Sequence, residues 1–288
     1  MSGDFRAIAG FPRYTGEATF SVGSAAAEYP GSNLGTLPLS YPWRSAGLDP
    51  AQTTITATFS RPRRLGLVVI GPHNFSLSAT YQVDAYFDAG GTDLMWSSGN
   101  IPVWPAVFAE TQVDWDGGRW WDRTYTPEEI QGYPWYRPTL IPTPDYARSV
   151  RIQIFDPFNP EGYVQAGLVE LADALRFPVN PSYGATYGYK SRTETQEADG
   201  GTKYRRRRNK PRQFRGTIEY MGRDDALGSF LEMQRQLDVD TPFFWWPDPT
   251  DDKHVVRTAF MAHFADLDLQ SYAAFDRAGV PVNIEEEL

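Results

Sequence analysis

Residues 54–71 read "TITATFSRPRRLGLVVIG". In the first part Ile55, Ala57 and Phe59 alternate with threonines, the period of a strand with one face in a core, and an apolar run through "LGLVVIG" follows. The same period continues downstream, where Tyr81, Val83, Ala85 and Phe87 oppose Gln82, Asp84 and Asp88. It returns in "SVRIQIF", with Val150, Ile152 and Ile154 against Arg151 and Gln153, and again in "GYVQAGLVEL". No helical period of convincing length falls between these runs, so the first half reads as a β-sandwich.

Composition fits strands joined by turns. Aromatics make up 15% of the 288 residues, and 25 Gly and 23 Pro are spread along the chain. The chain has no cysteine, which excludes disulfides, thiolate metal sites and a thiol nucleophile. The N-terminus shows no basic region followed by an apolar run, and no run is long enough to span a bilayer, so no membrane partner is expected.

Between Trp96 and Pro144 the pattern changes to Trp104, Trp115, Trp120, Trp121 and Trp135 set among Gly, Pro and acidic residues, which reads as long ordered loops. "PEEIQGYP" within it suits one helical turn, with Pro127 at the first position. These rings either pack over the sandwich or form a sugar-stacking platform. In the second case the glycan-contact candidates are Trp115, Trp120, Trp121, Trp135 and Tyr136.

Asp114, Asp116, Asp122, Glu128 and Glu129 are close enough in sequence to raise a glycosidase pair, although sequence gives no spatial separation. His73, His254 and His263 are too scattered for a metal cluster, and no nucleophile-elbow, Walker or dinucleotide glycine pattern occurs. No catalytic residue, metal or cofactor is assigned.

A boundary is expected near Phe177, dividing the chain into residues 1–175 and 176–288. Beyond it come a strand through "YGYKSRTETQ", a turn at "ADGG", a basic strand, and "QFRGTIEYM". Leu227, Phe230, Leu231 and Leu237 recur at helical spacing from Asp224, a suitable N-cap, to Asp238. "TPFFWWPDP", "RTAFMAHF" and "VPVNIEEEL" then read as strands. Phe243 and Trp245 on one face of the first, with Phe244 and Trp246 on the other, call for apolar cover on both sides.

Two resemblances follow from these runs. "YPGSNLGTLPLSYPWRSAG" and the later "YARSVRIQIFDPFNPEGYVQAGLVEL", with Trp43, Arg44, Ser45, Arg151 and Ile152, resemble the discoidin-like, galactose-binding β-sandwich family over residues 20–175. The segment 96–144 looks like an insertion relative to it. Residues 176–288 resemble the hub domain of phage distal tail and minor tail proteins through "DDALGSFLEMQRQL", "PFFWWPDP" and "PVNIEEEL". Together they imply a mainly β chain: an N-terminal jelly-roll β-sandwich followed by a C-terminal split β-barrel with one helix. The second resemblance implies a ring-forming structural protein of a tail tip or baseplate, located in the virion and made in the host cytoplasm, whose partners are its own copies and neighbouring tail proteins. The first permits adhesion to host-surface carbohydrate, and a glycan-cleaving enzyme is a third class.

The stretch "YRRRRNKPRQFRG" from Tyr204 carries seven positive charges in a chain of formal net charge −9. As a strand, Arg205 and Arg207 face one side and Arg206 and Arg208 the other, so neither face suits an apolar core. A hairpin turn at Gly200-Gly201 places Glu194 opposite Arg207, and one at Asp199-Gly200 places it opposite Arg205. Glu194, Glu197 and Asp199 leave a charge excess, which predicts a subunit interface for Arg205, Arg206, Arg207 and Arg208, with Glu285, Glu286 and Glu287 of a neighbour as counterparts. DNA is the alternative counterpart, through the channel of a ring.

Overall fold

The computed structural model describes residues 6–113, 115 and 120–288. Its first half is built from β1 (Ile8–Arg13), β2 (Ala18–Val22), β3 (Trp43–Arg44), β4 (Thr54–His73), β5 (Thr80–Tyr86), β6 (Leu94–Ser97), β7 (Ile101–Pro102), β8 (Arg137–Phe155) and β9 (Gln165–Arg176). β4 and β8, 20 and 19 residues long, each serve two layers. Their mutual register shifts between Thr58 and Arg63 and again between Leu65 and Leu67. Before the break, residues 54–58 pair with 149–153 and are flanked by β2 and, across β8, β5. Beyond it, residues 67–70 pair with 137–140 on one side and β9 on the other.

This bend explains the sequence pattern. Ile55, Ala57, Phe59, Val150, Ile152, Ile154, Tyr81, Val83 and Ala85 are buried, each from an alternating run. Leu67 to Ile70 and Leu168 to Ala172 are buried continuously, as strands covered on both faces must be. The chain is mainly β, and this half is the expected β-sandwich. Phe87, read as inward-facing, lies beyond the end of β5 and is exposed. "PEEI" forms the single helical turn Pro127–Ile130, closed by a capping box between Thr126 and Glu129.

The second half contributes β10 (Thr186–Tyr189), β11 (Glu194–Glu197), β12 (Lys203–Arg206), β13 (Arg212–Gly222), β14 (Phe243–Trp246), β15 (Phe260–Phe264), β16 (Ser271–Ala274) and β17 (Arg277–Glu286). Its main sheet runs β10-β13-β17-β15-β14 and continues through β1 into the sandwich, with β16 added on β17. The helix opens at Arg223–Asp225, passes through a π turn at Ala226–Phe230 and ends at Leu231–Leu237. Gly222, not Asp224, is its N-cap. Asp224 sits in the first turn, where its charge suits the positive end of the helix dipole.

Ala226, Phe230, Met233 and Leu237 face the core, with the Phe230 ring 6.2 Å from Phe177 and 6.0 Å from Phe264. All four aromatics of β14 are buried. Phe243 packs on Phe264, Trp245 on Phe177 and Phe214, and Phe244 on Tyr136 of the first half.

The predicted strand "YGYKSRTETQ" is broken at residues 190–193. β10 pairs with β13, whereas β11 and β12 form a separate two-stranded arm. Five residues, 198–202, connect the arm, and Glu194 pairs with Arg206 instead of Arg205 or Arg207. The difference is a loop length: two-residue turns impose the other registers, and the longer loop slips the pairing by one.

Candidate functional site

The loops 23–53, 74–79 and 156–164 gather at one end of the sandwich. Buried Trp43 anchors the first by donating from Nε1 to the Ser24 carbonyl at 2.9 Å. Alternation along β3 then turns Arg44 the other way. The backbone N–H of Arg44 donates to the Tyr29 carbonyl at 3.3 Å, which brings Tyr29 alongside. Buried Asp156 fixes the other two loops, accepting from Ser76 N at 2.9 Å and from Asn159 Nδ2 at 2.8 Å.

Between them Arg44 lies stacked, its guanidinium carbon 4.2 Å from the Tyr29 ring centroid and 4.0 Å from that of Tyr163. Its Nη2 donates to Gln165 Oε1 at 2.8 Å. Asn74 links the remaining groups: Nδ2 donates to Glu161 Oε2 at 3.0 Å, and Oδ1 accepts from Gln165 N at 2.8 Å. Hydrogen bonds from Tyr163 and Asn74 hold the Glu161 carboxyl below the usual carboxylate range, with Arg44 adding to the effect. The same bond to Glu161 raises the Tyr163 hydroxyl above the usual phenol range. The site therefore offers an ionised carboxylate, a fixed cation and two ring edges on a half-exposed surface. Trp43-Arg44-Ser45 was legible as a motif, but its partners Tyr29 and Tyr163 sit in Gly- and Pro-rich loops 14 or more residues away, so nothing in sequence joined them.

The aromatic insertion divides by burial. Trp115 and Trp121 are 80% and 86% exposed, Trp120 and Trp135 are partly buried, and Tyr136 is buried against Phe244. Trp135 is tied down by Nε1 donating to the Ile130 carbonyl at 2.9 Å and by an edge contact of 5.3 Å to Trp104. Trp115 and Trp121 thus remain available for stacking, while Tyr136 belongs to the core. Of the candidate glycosidase carboxylates, Asp114 and Asp116 lie outside the described residues, and Glu129 serves the helical cap. No metal-binding group of three His, Cys, Asp or Glu occurs among the described residues.

In the second half, the acidic end of β17 is engaged within the chain. Glu286 forms a buried ion pair with Arg212. Glu285 accepts from Lys190 Nζ at 2.9 Å and Arg192 Nη2 at 2.6 Å. Burial works to raise its pKa, but these bonds and one from Gln213 outweigh it, leaving it below the ordinary value. Glu287 lies 3.1 Å from His263 Nδ1. The expected counterparts of the basic strand are therefore held internally, because β17 threads between β13 and β15 instead of ending at a free surface.

Every residue of β11 and β12 is exposed. Arg208 reaches Glu194 at 2.6 Å, outside the strand, while Arg205, Arg206 and Arg207 have no carboxylate partner among the described residues.

No protein-family model matches the chain, and no curated protein matches it. Among solved structures, it is similar to the family 32 carbohydrate-binding module of Clostridium perfringens NanJ in complex with galactose, at 12% identity and a TM-score of 0.35, covering 57% of this chain and 98% of that one. A second module, CpGH89CBM32-4 of Clostridium perfringens, matches at 12% identity and 0.36, covering 57% and 100%. The family 89 glycoside hydrolase of Clostridium perfringens matches at 13% and 0.38, but the chain spans only 14% of it. Such identities and TM-scores assign neither ligand nor activity to this chain.

Proposed function

We propose that the sandwich is a non-catalytic carbohydrate-recognition module whose contact surface is the Tyr29, Arg44 and Tyr163 cluster. The observation that carries this is the stacked guanidinium ringed by Asn74, Glu161 and Gln165. Aromatic rings suit the C–H face of a sugar, and the surrounding donors and acceptors suit its hydroxyls. A glycan array probed with the wild-type chain should give binding, followed by at least a tenfold loss for Arg44→Ala at an unchanged melting temperature. Binding that survives Arg44→Ala but is lost in Trp121→Ala would move the surface to the aromatic insertion; no glycan bound at all would overturn the reading.

A second reading concerns the other half and is compatible with the first: a structural component of a tailed-phage tail tip, in the virion, assembling into a ring with neighbouring tail proteins. Its support is the order of elements after residue 176, where a helix, an aromatic strand bounded by prolines and, further on, an acidic closing strand come in the order that the tail-hub resemblance implies. The exposed cationic arm adds to it, since charge of this density is accommodated by a partner or by solvent. Light scattering of the purified chain tests it, and a chain that stays monomeric at high concentration would sink it.

A further inference from the structure

A groove of about 350 Å³ runs along the outer side of the long helix, lined by Leu227, Leu231, Leu267, Leu269 and Tyr272. All five are exposed, Leu269 at 91%. Isolated exposed leucines are ordinary, but five apolar side chains sharing one groove form the kind of patch that marks an interaction site. Its acidic neighbours are Asp268, which lines it, and Asp266, on the other side of Leu267 in sequence. Arg235, the one cation lining the groove among the described residues, is tied to Glu232.

The β11–β12 arm has the complementary character. Tyr204 is 64% exposed and shares a face of β12 with Arg206, while Lys203 and Arg205 occupy the other face. An aromatic ring with an amphipathic tip, carried among cations, matches an apolar groove rimmed by carboxylates. The two features lie at opposite ends of β13. The arm departs beside Arg212 and the helix begins beyond Gly222, with eleven residues, about 33 Å of strand, between them.

We infer that the groove receives the β11–β12 arm of a second copy of this chain, with Tyr204 in the groove and Arg206 against the acidic rim. This deepens the assembly reading and rests on it. Because arm and groove are different surfaces, the contact is either exchanged reciprocally between two copies or repeated head-to-tail, which generates a ring or an open filament.

Two variants test it, both altering exposed side chains: Tyr204→Ser with Arg206→Glu in the arm, and Leu231→Lys with Leu269→Lys in the groove. Light scattering should find the wild type oligomeric and each variant monomeric with an unchanged melting temperature. Each variant keeps one intact surface, so mixing them should yield a species of two chains and no larger. If either variant assembles like the wild type, or the mixture stays monomeric while the wild type assembles, the inference is overturned and the assembly reading stands. A monomeric wild type overturns both.

Discussion

His73 ends β4 beneath the aromatic insertion, stacked on Phe75 at 4.2 Å and edged by Trp104 at 5.8 Å, and its Nδ1 accepts the Phe75 N–H at 3.2 Å. Burial, with Arg137 adding to it, lowers its pKa from 6.5 to about 3. Below pH 6.5 the unfolded chain takes up a proton that the folded chain refuses, so this group's stabilisation is complete above pH 6.5 and is lost as pH falls towards 3. The slope is on the order of 1 kcal/mol per pH unit. Melting curves between pH 7 and 4 should therefore be less steep in pH for His73→Gln than for the wild type, and identical slopes would refute the assignment. Sequence could not reveal this, because Trp104, Trp135 and Trp121 look alike among Gly, Pro and Asp. Whether a ring is core or platform depends on loops returning to β4, a long-range property.

At the scale of elements, β13 and β17 are joined by Arg212 and Glu286, 4% and 2% exposed, with Arg212 Nη1 also donating to the Val256 carbonyl at 2.6 Å. Removing one partner leaves a buried charge, which costs roughly 3–5 kcal/mol. Glu286→Ala should lower the denaturation midpoint strongly, while the double variant Arg212→Met, Glu286→Leu should recover part of the loss. A single variant as stable as the wild type would show that the pair is not buried in solution. The strands themselves were legible where burial imposes a period of two, as at Ile55, Ala57 and Phe59, and the helix where Phe230 and Leu237 recur. The arm was legible as exposed because no face of it is apolar. Its register and the break at residues 190–193 were not, since exposed polar strands carry no pattern that distinguishes one pairing from the next. Leu227 and Leu231, read as helical spacing, proved to lie on the outer face, which sequence periodicity alone does not separate from the inner one.

Across the whole molecule, β1 is the joint. It pairs with β9 of the sandwich on one side and, through Ile8 and Ala9, with Trp246 and Trp245 of β14 on the other. Tyr125 adds a bridge, its hydroxyl donating to the carbonyls of Asp252 at 2.9 Å and Lys253 at 2.7 Å. A fragment of residues 1–175 keeps both sandwich layers but leaves β1 with an unpaired edge and uncovers Tyr136. It should fold cooperatively with a lower melting temperature than the full chain, as calorimetry can determine; no transition at all would mean that the sandwich needs β14 to fold. The same joint has a mechanical consequence. Tension applied between the sandwich and the C-terminal half is borne by the β1–β14 ladder together with the Phe244–Tyr136 contact and the Tyr125 bridge. Extension under load should begin at that seam, with both layers of the sandwich intact while it parts.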